Sequence, residues 1–173
     1  ICHAVQHVFA RCRGGYSVIA MIAGHGMVIF RDPHGIRPLV YGQRKHQDGR
    51  TDYIFSSENT MYYPLGFELR GNVEPGEVIF IDMDGQMKRK RLARDLFTPC
   101  VFEYVYLARP DSYMNNISVY RARLRMGENL AKKWRRLYPD LTPDILIPVP
   151  FSSNTAALSM AHHLGVRYSE GIY

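Results

Sequence analysis

An α+β fold that passes into an α/β fold is what this sequence predicts, and three observations predict it. Up to Phe97, short apolar runs alternate with Gly, Pro and Asp turns, the pattern of antiparallel strands joined by short connections. From Ser118 a long amphipathic helix, an apolar strand, another helix and the start of a further strand follow in that order, which opens a parallel α/β sheet. Between the two, an aromatic-rich stretch marks a seam. The organisation expected is therefore 1–97, a seam over 98–117, and 118–173.

Size and composition narrow the class. A chain of 173 residues with 46% hydrophobic and 22% charged residues can bury a sizeable core and is not a disordered one. It begins at Ile1 without a signal pattern, so an internal piece or a processed product is expected. No apolar run reaches the roughly 18 residues a membrane span needs, so no membrane partner is expected. The net charge of +6 concentrates in Lys88 to Arg94 and along Arg121 to Arg136. No zinc-finger spacing, aromatic RNA-binding signature or helix-turn-helix accompanies these basic runs, which argues against nucleic acid. A basic surface suits phosphorylated substrates equally well. Cys2, Cys12 and Cys100 are odd in number and at no metal-ligand spacing, which points to a reduced, cytoplasmic compartment and buried structural thiols.

In order, Ile1 to Arg13 reads as the tail of a helix with Val5, Val8 and Phe9 on one face and Gly14 and Gly15 as its stop. His3 and His7 are four apart on it, a spacing that can hold a metal, but with no third ligand nearby the reading is surface histidines. Tyr16 to Ala23 and Met27 to Arg31 form a hairpin about Gly24 to Gly26. The loop Asp32 to Pro38 holds two prolines and a glycine, a stiff setting for a charged side chain. Arg31 and Arg37 are the candidates there, either for a ligand or as braces of the loop. Leu39 to Gly42 is a strand, Gln43 to Thr51 a mobile loop, and Asp52 to Phe55 a strand. Ser57 begins a short helix through Tyr63. Phe67 to Asn72 leads to a turn at Val73 to Gly76, and Glu77 to Asp82 and Met87 to Leu92 form a hairpin about Asp84 and Gly85. About six strands joined this way make an antiparallel sheet with helices on its faces.

The seam, Pro99 to Ser112, reads as a strand followed by a turn. Phe102, Tyr104 and Tyr106 alternate with Glu103, Val105 and Leu107, so an extended backbone places three rings on one face. Beyond it, Ile117 to Leu137 is the strongest helix, N-capped by Ser118. Val119, Met126, Leu130, Trp134 and Leu137 share its apolar face, and Arg121, Arg123 and Arg125 belong to the solvated one. Asp144 to Pro150 is a buried strand, Ala156 to Leu164 a helix capped by Gly165, and Val166 starts the next strand. Ser152 and Ser153 stand at the carboxyl end of the first of these strands, where helix-start amides attract phosphate. An ordinary N-cap serine is the competing reading.

Together these segments resemble the amidophosphoribosyltransferases. The resemblance rests on the run from Arg31 to Leu39, Ser56 to Glu58, the turn Val73 to Glu77, Pro99 to Ser112, and Asp144 to Ser153, in that order along essentially the whole chain. It implies the later half of an Ntn-type glutaminase, with antiparallel sheets between helix layers, followed by the start of a type I phosphoribosyltransferase domain. It also implies an enzyme that transfers ammonia from glutamine to phosphoribosyl pyrophosphate with Mg2+, giving 5-phosphoribosylamine, glutamate and pyrophosphate, the first step of purine synthesis. By the same resemblance Tyr106 and Tyr104, with Arg109 and Asp111, belong to an ammonia passage at the seam. Ser152 and Ser153 belong to the pyrophosphate and Mg2+ loop, either serine being the metal contact, although Phe151 stands where relatives often carry an acid. Cys100 matches an iron-sulfur ligand of some members, which leaves cluster content open. A homotetramer inhibited by purine nucleotides is implied too.

What the family requires and these residues do not supply is equally specific. No residue matches the amino-terminal cysteine nucleophile, the glutamine-holding pair, the Asn-Gly oxyanion hole or the ribose-phosphate loop. No glutaminase or transferase activity is therefore expected of the 173 residues alone. The other readings are a scaffold or regulatory relative without catalysis, and another glutamine amidotransferase of the sugar-phosphate kind, which the Asp144 to Ser153 unit disfavors.

Overall fold

A computed structural model describes residues 1–172. The chain divides into two compact units, Ile1–Cys100 and the part from Val101 on.

The first unit consists of helix α1 (Cys2–Arg11) and seven strands: β1 (Ser17–Ile22), β2 (Gly26–Arg31), β3 (Val40–Lys45), β4 (Thr51–Ser56), β5 (Glu68–Asn72), β6 (Glu77–Asp82) and β7 (Met87–Arg91). They form two antiparallel sheets, ordered β1-β2-β6-β7 and β4-β3-β5. Strand alternation sorts the core into two layers. Val28, Phe30 and Val78 turn to α1 and pack on Val5, with Val8 and Phe9 alongside. Ile29, Ile79 and Ile81 turn the other way and pack with Leu39, Val73, Tyr41, Tyr53 and Phe55 of the three-stranded sheet. A single sheet was the simplest reading of consecutive strands; two result because β6 pairs with β2 across forty-odd intervening residues, Phe30 opposite Val78.

Two local expectations fail in this unit. No helix follows Ser57: residues 60–66 form turns, because Pro64 cannot donate to a helical ladder and Gly66 takes φ +76°. Tyr62 alone of this segment is buried, its hydroxyl donating to the Val40 carbonyl at 3.0 Å. The loop expected over 43–51 is confined to 46–50. β3 runs to Lys45 and β4 starts at Thr51, held by Asp52, which accepts from Arg44 and from the His46 ring nitrogen at 2.7 Å each.

In the second unit, a π-helical turn (Glu103–Leu107) precedes the short hairpin β8 (Tyr113–Met114) and β9 (Ile117–Ser118). Asn115 and Asn116 make its two-residue turn at φ +49° and +62°, the conformation Asn tolerates best after Gly. Then come α2 (Val119–Leu137), β10 (Ile145–Leu146), α3 (Asn154–Leu164) and β11 (Arg167–Tyr168), with β10 and β11 parallel. Ser118 caps α2 by accepting from the Arg121 amide at 3.3 Å, and Gly165 closes α3 in the left-handed region.

The buried side of α2 overlaps the expected one at Val119 and Met126 and differs beyond them. Val119, Arg123, Gly127 and Ala131, spaced by four, face inward, whereas Leu130 and Leu137 are about half exposed. Leu130 and Trp134 instead border an open apolar groove of about 460 Å³ with Ile145, Ile147, Val149 and Met160. The inward stripe is narrow because α3 lies so close that only glycine fits at 127.

Candidate functional site

Three places hold the side chains that the sequence singled out. At the loop after β2, Arg31 is 1% exposed and donates to three carbonyls, those of Arg37 (2.6 Å), Gly35 (2.9 Å) and Val73 (3.0 Å). Asp32, also fully buried, accepts from the amides of His34, Ile36 and Arg37 at 3.0 Å and of Tyr16 at 3.3 Å. These bonds satisfy backbone groups that a buried loop would otherwise leave unpaired. Arg31 and Asp32 therefore brace the loop, and the Arg31 guanidinium is not presented to a ligand. Arg37 remains half-buried beside it. Cys100 is half-buried, with its amide donating to the Ile36 carbonyl at 3.1 Å.

The seam is helical, not extended, which corrects the three-ring face. In the π-helical turn Tyr104 points inward and Tyr106 outward, 8% and 64% exposed, and Phe102 is exposed as well. Tyr104 packs with Ala108, Met114 and Val119, and its hydroxyl donates to the Met114 carbonyl at 3.2 Å. Tyr104 and Ala108, four apart, are the helical signal that the period-two reading passed over. Arg123 of α2, assigned by its charge to the solvated face, is 3% exposed and donates to the carbonyls of Tyr104 (2.8 Å) and Ala108 (2.7 Å). It caps the turn. Just past it, Arg109 grips Asp111 through both carboxylate oxygens at 3.1 and 3.2 Å, and this guanidinium holds the Asp111 carboxyl below its usual range. Both side chains are largely exposed.

At the carboxyl end of β10, the chain turns through Pro150 to Ser153 into α3. The Pro150–Phe151 peptide is cis, and the Phe151 ring is 85% exposed. Ser153 sits at the N-cap but does not cap with its side chain; its hydroxyl donates to the Val149 carbonyl. The Asn154 amide is taken by the Phe151 carbonyl at 3.3 Å, which leaves the Thr155 and Ala156 amides of the eleven-residue helix for an anion, with Ser152 half-buried beside them.

These donors suit phosphate oxygens better than metal. Mg2+ takes carboxylates together with phosphates, and this loop offers hydroxyls and amides only. An iron-sulfur cluster takes four thiolates, and among the described residues no other cysteine gathers beside Cys100, which leaves cluster content open. Among the described residues no group of three or more His, Cys, Asp or Glu converges on a common point. Cys2, at the start of α1, packs against the core that holds Val28 and Val78. Among the described residues no helix is long and apolar enough to cross a membrane.

Comparison with known proteins gives these features a setting. No protein-family model matches the chain. It is 51% identical over 169 residues to the amidophosphoribosyltransferase of Pseudomonas aeruginosa and 48% identical over 160 residues to that of Escherichia coli, covering 97% and 92% of this chain. The enzyme of the same name from Saccharomyces cerevisiae is 40% identical over 173 residues. The chain spans about a third of the length of these relatives, 34%, 32% and 34% respectively. Among solved structures, the glutamine phosphoribosylpyrophosphate amidotransferase from B. subtilis, complexed with ADP and GMP, superposes with a TM-score of 0.80 at 30% identity, covering 98% of this chain and 35% of that one.

Proposed function

The chain belongs to the amidophosphoribosyltransferase family, and on that premise we propose that the whole protein containing it transfers glutamine-derived ammonia to phosphoribosyl pyrophosphate. The products are 5-phosphoribosylamine, glutamate and pyrophosphate. The observation that carries this is the 51% identity to a curated relative of that name along 97% of the chain. Residues 1–97 fall to the glutaminase, 98–117 to the interdomain seam and 118–173 to the start of the transferase, in keeping with two compact units that part after Cys100.

The residues present divide the work by chemistry. The α3 amides, with Ser152 and Ser153, hold diphosphate oxygens as negative charge builds on the leaving group. Magnesium, which the family implies, would be held by the diphosphate oxygens and would neutralise their charge there, since the loop itself provides no carboxylate. Tyr106, outward on the π-helical turn, lines the path that keeps ammonia from water, while Tyr104 and Arg123 hold the turn in shape. Arg109 and Asp111 fix the exit from the turn. A cytoplasmic homotetramer is the assembly that goes with this reading.

The test is to purify the full-length protein and follow pyrophosphate and glutamate. Equimolar release of both, dependent on glutamine and phosphoribosyl pyrophosphate together, is expected, with none from the isolated 173 residues. No pyrophosphate release with either glutamine or ammonia would overturn the assignment.

A further inference from the structure

Helix α1 carries two imidazoles that the proposed function leaves without a role. His3 and His7 lie four apart on its exposed side, and their rings approach to 4.8 Å between centroids, tilted by 49°. Neither makes a hydrogen bond or ion pair with another described residue. We propose that His3 and His7 form a chelating site for a divalent late transition metal of the nickel, copper and zinc group.

Four features carry this. Side chains four apart on a helix sit one above the other, so two ring nitrogens can reach one ion. The donors are two imidazoles with no carboxylate on α1, a set that favours Cu2+, Ni2+ and Zn2+ over Mg2+ or Ca2+. The helix is already fixed, with Val5 buried and Val8 and Phe9 packed on the sheet below, so binding does not have to order it. Nearby charge is partly neutralised, with Arg11 standing four residues beyond His7 on α1. His3 borders a groove of about 520 Å³ with Lys88, Arg89 and Lys90 of β7, but Arg89 pairs with Glu77 at 2.7 Å and Lys88 with Asp82 at 3.4 Å. Lys90 is left to attract a solvent anion, which with water completes the coordination of a two-ligand, exchangeable site.

The test titrates NiCl2 into the purified full-length protein in a non-coordinating buffer, following heat and amide exchange in α1. One saturable site is expected, with α1 amides gaining protection. His3→Gln and His7→Gln should each weaken binding about tenfold or more, because each removes the chelate partner. Cys2→Ser should bind as the parent does. Both histidines are exposed, and circular dichroism checks that the variants fold. Binding kept in either single variant would place the ion elsewhere, and loss in Cys2→Ser would place it on a thiol. Either result, or no saturable binding, overturns the proposal.

Discussion

Gly127 sets how closely α2 and α3 pack, and Gly127→Ala separates helix propensity from packing. Considered within α2 alone, the change stabilises by about 1 kcal/mol, since alanine is the better helix former. The neighbouring helix opposes it. A Cβ at 127 would stand 2.1 Å from the Ala156 carbonyl oxygen and 2.7 Å from the Ser159 Cβ. The first of these is backbone and cannot rotate away, so α3 must retreat by about 1 Å to reach ordinary contact. Retreat loosens the packing of Ala131, Ala157 and Ala161 and stretches the 2.7 Å bond from the Ser159 hydroxyl to the Leu124 carbonyl. Overpacking of this kind costs about 1–3 kcal/mol, and the weakened buried bond about 1 more. Setting the propensity gain against these leaves a net loss of about 1–3 kcal/mol. Trp134, the single tryptophan, lies on α2 and reports unfolding of this unit by fluorescence in urea. With a slope of about 1 kcal/mol per molar, the midpoint should fall by about 1–3 M. An unchanged or raised midpoint would refute the packing account.

Other changes test the remaining assignments. Arg123→Met should cost about 3 kcal/mol by stripping two buried carbonyls of a charged donor, with faster amide exchange at 104–108; a loss under about 1 kcal/mol would mean that the turn holds itself. Asp32→Ala leaves four backbone amides without their acceptor and should cost about 3 kcal/mol or more, read by thermal unfolding together with proteolysis of the 33–38 loop. The carboxyl of Asp111 is held low by Arg109, so its contribution to stability is present above the unfolded carboxylate range near ~4 and is lost as pH falls through the lower folded value. Because the pair is 65% and 57% exposed, that contribution is a few tenths of a kcal/mol; in Arg109→Ala the Asp111 carboxyl should titrate higher by NMR with little change in melting temperature. In the full-length enzyme, the double change Ser152→Ala and Ser153→Ala should raise KM for phosphoribosyl pyrophosphate about tenfold while leaving glutamine hydrolysis intact, which steady-state kinetics checks.

The sequence made local structure plain where a local residue dictates it. The hairpin about Gly24 to Gly26, the Asp84-Gly85 turn, the Ser118 cap and the Gly165 stop each follow from one or two side chains and appear as expected. What was not legible depends on partners distant in the chain. The pairing of β2 with β6, and hence the division into two sheets, is set by which apolar faces meet, and alternation within a strand does not contain that choice. The seam misled for a similar reason. Alternating aromatics suit a strand, but no neighbouring strand pairs with this stretch, so its amides and carbonyls are satisfied inside a helical turn and by Arg123.

Two arginines that precede Pro-containing turns show why charge alone does not locate a binding residue. Arg31 and Arg109 both precede a short Asp- and Pro-containing turn, Arg31 being a candidate from its stiff loop and Arg109 from the family resemblance. Arg31 makes three charge-assisted bonds to buried carbonyls, and a ligand drawing it away would leave those acceptors unpaired, at about 1–3 kcal/mol each. Arg109 pairs with exposed Asp111, a contact worth less than about 1 kcal/mol, and it lies on the turn that presents Tyr106. An incoming anion can compete for Arg109 and not for Arg31. Exposure rather than charge separates the two: Arg109 is held in position yet remains exchangeable, and Arg31 is committed to the loop after β2.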